Sequence, residues 1–179
     1  MDGQVLQEYF EGEKQLGVGM AVLGVAVLAA AFWVWRTQSG AFGGWLLVPL
    51  ALMGVGFGAG GTALAMKTQA QVARLTAQLA SEPGALVSAE VTRMARVNAN
   101  WPRVKVAWSV VTAVALVLLL AMHREWASGL GLALMLLATT LFFVDVFAER
   151  RAAPYTAALE RARAGAPGER QRPGDGKAP

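Results

Sequence analysis

Four long apolar runs dominate the chain, at residues 16–35, 45–66, 106–122 and 126–147. The first three contain no charge, and the fourth is broken only by Asp145. A helix rises about 1.5 Å per residue, so about twenty apolar residues cross the roughly 30 Å hydrocarbon core of a bilayer. The pattern therefore predicts four transmembrane helices, the third extending with its flank to 104–122. The first run is too long for a signal sequence. Its leading flank is also acidic, with Asp2, Glu8, Glu11 and Glu13 against Lys14, where a signal would be basic.

The segments between the runs set the layout. Residues 36–44 and 123–125 are short connections, so the spans pair as two antiparallel hairpins, 16–66 and 104–147. The intervening 67–103 is long and polar. Val72, Leu75 and Leu79 fall on one helical face, Ser81-Glu82-Pro83 forms a break with a new helix start, and Val87, Val91, Met94 and Val97 form a second stripe. This predicts a cytoplasmic helical segment between the hairpins. Residues 1–15, with Val5, Leu6, Tyr9 and Phe10, read as an interfacial helix. Residues 148–164 read as a helical extension of span four, kinked near Pro154. The Gly-, Pro- and charge-rich 165–179 reads as a disordered tail. The fold class expected is an all-α membrane protein.

Composition strengthens this picture. Apolar residues make up 55% of the chain, charged residues only 16%, and mean hydropathy is +0.44, whereas soluble domains carry about 25% charged residues. Of sixteen Lys and Arg, all but Arg36 and Arg124 fall on the side that holds both termini and the middle segment. The positive-inside rule places that side in the cytoplasm. Trp33, Trp35, Trp45 and Trp126 fall at the outer ends of the spans, and Trp101 and Trp108 near the inner end of the third, as expected for headgroup-level aromatics.

Candidate chemistry is sparse. Gly54, Gly56, Gly58 and Gly60 form overlapping GxxxG pairs, which predict close helix packing. Asp145 lies near the depth of Arg103 and Lys105 and is expected to pair with them. Ser109 and Thr112 share a level with Thr139 and Thr140, where hydroxyls usually bond their own helix. The single His123 sits in an outer connection, and there is no Cys, which rules out most His-based metal and triad chemistry. No phosphate-binding, dinucleotide or hydrolase motif is present. The chain is read as non-enzymatic, with no cofactor. Glu13, Lys14, Arg93, Arg96, Glu149 and Arg150 are expected on the cytoplasmic surface. The Arg-rich face suits anionic lipid headgroups or an acidic protein segment. Aromatic residues outside the spans are too few for nucleic-acid stacking.

The junction segments 8–14 (EYFEGEK), Gln71-Val72, 93–98 (RMARVN) and 147–152 (FAERRA) together resemble those of a group of uncharacterised small bacterial four-span proteins, some associated with secreted-toxin loci such as type VI secretion. The resemblance implies an immunity or accessory protein of the inner membrane and brings no catalytic residue. The expected function is partner binding. A channel or transporter subunit, built as a homo-oligomer around the glycine helix, and a membrane-anchored scaffold are the rival readings.

Overall fold

The computed structural model describes residues 3–165. They form four helices: α1 (Gly3–Thr37), α2 (Ala41–Ser81), α3 (Pro83–Leu120) and α4 (Glu125–Gly165). All four are long and apolar enough to cross a membrane, so the chain is a multi-pass membrane protein.

The helices are much longer than the apolar runs. At 41 residues, α2 is about 60 Å long, twice the hydrocarbon core. The segments 1–15 and 67–103, read as separate helices, are continuations of the spans: residues 3–15 belong to α1, 67–81 to α2 and 83–103 to α3, and 148–165 extends span four within α4. The middle segment is thus two rods joined at Glu82, and the N-terminal stretch packs in the bundle, with Leu6 and Phe10 buried, instead of lying along the interface. Pro49, Pro102 and Pro154 each sit inside a continuous helix. Each removes one backbone donor without ending its helix, because the flanking turns are held by packing. The tail expected at 165–179 lies outside the described residues beyond Gly165, which is the last residue of α4.

Connections are correspondingly tight. Residues 38–40 link α1 to α2, and Gly40 has φ of 100°, a left-handed conformation that glycine adopts without a Cβ penalty. Pro83 opens α3 at its first turn, where a missing N–H costs nothing.

A seven-residue line explains why the rods stay whole. Phe10, Gly17, Gly24 and Ala31 are buried on α1, and Gly54, Gly61, Thr68 and Leu75 on α2. A period of seven keeps one face turned toward a neighbour along the full length of a left-handed helix pair. Gly17 meets Gly61 and Ala65, and Gly24 meets Gly54 and Gly58, so the two helices run antiparallel. α4 packs against both α2 and α3. Gly129 faces the Phe42 carbonyl of α2, and Gly131, two residues on, faces the Ala115 carbonyl of α3. The backbones of α1 and α3 do not approach one another.

The bundle has two unlike ends. Around the apolar runs, large hydrophobic side chains point outward, including Val22, Trp33, Leu52, Val110 and Leu120. At the end that holds Gly3 and Gly165 the surface is polar, and Leu6, Phe10, Leu75, Leu86, Met94, Ala152, Tyr155 and Leu159 close into an interior core. This polar end is called the head below.

Candidate functional site

The head core encloses a charged network. Glu90, only 5% exposed, lies within the apolar stripe of α3. Its carboxylate accepts hydrogen bonds from Arg93 Nε at 3.0 Å and Nη2 at 2.8 Å, one turn along the same helix. It also accepts one from the Tyr155 hydroxyl of α4 at 3.0 Å. Such charge-assisted bonds are roughly twice as strong as neutral ones.

Aromatic rings fix the geometry. Tyr9 stacks on Tyr155 with centroids 4.3 Å apart and planes 9° from parallel. Phe10 presents its edge to Tyr9 at 5.0 Å. The Arg93 guanidinium lies 5.9 Å from the centre of the Phe10 ring, within cation–π range. Arg93 therefore links α3 to α1 even though their backbones stay apart.

Glu13 completes the network on α1. It is partly buried and faces Arg93, Arg151 and the buried Thr68 hydroxyl. Arg151 donates to the Gly12 carbonyl, tying α4 to α1. Burial pushes the Glu13 carboxyl above its ordinary range against the pull of Arg93 and Arg151. Burial also raises Tyr9, helped by the Glu13 charge, and raises Tyr155, helped by the Glu90 charge and hydrogen bond. For Arg93, burial acts downward, but the Glu90 bonds and charge outweigh it and hold the guanidinium above its ordinary value.

Below the network, Asn98 Nδ2 donates to Thr156 Oγ1 at 3.2 Å, and Trp101 Nε1 donates to Asn98 Oδ1 at 3.3 Å. Trp108 Nε1 donates to Asp145 Oδ2 at 2.7 Å. Lys105 pairs with Glu149. Among the described residues every buried side-chain polar atom has a partner. The arrangement is thus a closed clamp that joins α1, α3 and α4. No described group of His, Asp and Glu is placed to hold a metal ion.

Several expected sites fall elsewhere. Asp145 does not pair with Arg103 or Lys105. It takes the Trp108 indole, while Lys105 reaches Glu149 one turn further along α4. The indole approaches from a full turn deeper on α3, and Arg103 stays exposed on another face. Glu13 and Arg93 are not free surface groups but members of the buried network. Arg96 and Arg150 are exposed, and Lys14 and Glu149 are half-exposed. Of the α2 glycines, Gly54 packs against Leu28, and the Gly58 backbone lies against Gly24. Gly56 and Gly60 face open space. Ser109 and Thr112 donate to the carbonyls of Lys105 and Trp108, four residues back. They line an outward groove with Thr139 and Phe142. His123 is exposed in the 121–124 connection.

Glu90, Tyr155 and Thr68 join the network without having been singled out in the sequence, and Tyr9 and Arg151 entered only as an apolar position and as part of the junction segments. The available signal was Glu90 itself, an acid three residues after Val87 and four before Met94, inside an otherwise apolar stripe.

The head also carries a groove of about 630 Å³ between α1 and α2, with Phe10 and Val72 among its lining and Gln7, Glu8, Glu11, Lys14 and Gln69 around them. The molecule this defines is a four-helix membrane protein with a clamped polar head. No protein-family model, curated protein or solved structure matches the chain.

Proposed function

We propose that the protein is a non-enzymatic protein of the bacterial inner membrane that presents its head to a protein partner. In this reading two transmembrane hairpins anchor the chain, and the head and both termini lie in the cytoplasm, on the side rich in Lys and Arg. The observation that carries it is the overshoot of all four helices beyond the length a bilayer needs, gathered into a head with its own core and a fully bonded interior. A head clamped before binding loses little conformational freedom when a partner docks. The groove between α1 and α2 supplies a concave surface with acidic Glu8 and Glu11 at its edge.

Affinity purification after crosslinking in membranes tests the reading. A partner recovered with the intact chain should be lost when Glu8 and Glu11 are both changed to Lys, with membrane levels unchanged. Recovery unaffected by the reversal removes the groove from the account. The narrower form is an immunity protein. A toxin encoded beside the gene should kill cells lacking the protein and spare cells producing it. Full killing despite good membrane levels ends that form. The transporter reading keeps the Gly56 and Gly60 face of α2, which is open, while Gly54 packs against Leu28 of α1.

A further inference from the structure

One face of α3 is divided along its length in a way the partner-binding reading does not use. Arg96, Asn100, Arg103, Ala107, Val110, Val114 and Val117 follow one another at alternating steps of four and three residues, and every one is exposed. That spacing draws a single line down a helix. The upper part is cationic and polar. The lower part is apolar, with Val110 57%, Val114 48% and Val117 58% exposed. The change falls at Ala107, whose small side chain leaves the line open.

Among the described residues the upper side chains have no ion-pair or hydrogen-bond partner. The Lys and Arg ion pairs among the described residues engage Arg93 with Glu90 and Lys105 with Glu149, leaving Arg96 and Arg103 uncompensated. Arg96 and Asn100 line a shallow cavity of about 280 Å³ with Val97 and Trp101. The Trp101 indole N–H is already donated to Asn98, so its ring sits at that level as an apolar wall. Below, the protein leaves α3 bare. Of its most apolar eighteen residues 6% are buried, against 33% for α2.

We infer that this face of α3 is a binding site for one anionic phospholipid. Its phosphate lies against Arg96, Asn100 and Arg103, and an acyl chain runs down Val110, Val114 and Val117. Charge complementarity selects the headgroup, and the apolar line below it selects a lipid over a soluble phosphate. From Arg103 to Val117 the helix descends about 21 Å, enough to follow one leaflet from headgroup to tail. The site does not depend on which protein, if any, the head binds.

Native mass spectrometry of the purified full chain, titrated with phosphatidylglycerol or phosphatidylcholine, tests this. The wild type should retain one phosphatidylglycerol in preference to phosphatidylcholine. The Arg96→Gln, Arg103→Gln double variant should bind it about twenty-five-fold more weakly, at roughly fivefold per charge. The Lys67→Gln, Arg74→Gln double variant removes two exposed charges from α2 and should bind as the wild type does. Arg96→Lys with Arg103→Lys keeps the charge and should keep most of the binding. Circular dichroism confirms that each variant is folded. Equal weakening by both Gln pairs, equal retention of the two lipids, or no effect of the α3 pair would overturn the site.

Discussion

At the residue scale the head depends on one carboxylate. Removing the Glu90 side chain leaves the part-buried Arg93 guanidinium and the buried Tyr155 hydroxyl without their acceptor. Breaking a fully buried pair costs about 3–5 kcal/mol. Arg93 keeps 33% of its side chain exposed, so Glu90→Ala should cost about 2–3 kcal/mol, read as a lowered melting temperature in detergent. Tyr155→Phe keeps the stacked ring and loses one hydrogen bond, and should cost about 1 kcal/mol. Glu13 gives a pH signature. Its carboxyl holds a proton to higher pH in the folded head than in the unfolded chain. Its contribution to stability is therefore fullest below the ordinary carboxylate range and is lost as pH rises through the raised value. Glu13→Gln lacks this dependence, so wild type should lose stability relative to the variant across that interval. Melting curves that run parallel across it would show that Glu13 does not titrate this way.

At the element scale, substitutions should separate the glycines by the face they occupy. A Cβ on Gly24 would lie 2.7 Å from the Gly54 carbonyl oxygen, and one on Gly61 would lie 2.5 Å from the Gly17 carbonyl oxygen. Gly24→Val or Gly61→Val should therefore cost about 3 kcal/mol by forcing two backbones apart. Gly56→Val and Gly60→Val, in open space, should leave the melting temperature of the monomer nearly unchanged. The four helices were legible because apolar length alone identifies them. Which glycines touch a neighbour was not, since a GxxxG pattern marks a small-residue surface without saying which helix meets it. The seven-residue line through Gly17 and Gly24 on α1, and through Gly54 and Gly61 on α2, selects the contacts. The same line, carried on through Thr68 and Leu75, makes α2 one rod where polarity alone suggested a span and a separate helix. The Glu90 network was hidden for a related reason. Its members lie at positions 9, 13, 68, 90, 93, 151 and 155, and only the packing of all four helices brings them together.

At the scale of the whole molecule, sidedness is open to direct measurement because the chain has no Cys. Ser39 lies in the α1–α2 connection, and Ser88 lies on α3 in the head, both exposed. If the head is cytoplasmic, Ser39→Cys should react with a membrane-impermeant maleimide in intact cells, and Ser88→Cys only after the membrane is opened. The reverse pattern would turn the molecule over. The continuity of the helices also has a mechanical consequence. A change in bilayer thickness alters the tilt at which an apolar span fits. Span and head share continuous helices, so the head swings with the span. With about 30 Å of helix beyond the hydrocarbon core, a tilt of roughly 10° moves the outer tip by about 5 Å. The thickness of the surrounding lipid is thereby converted into a lateral displacement where soluble molecules can meet it.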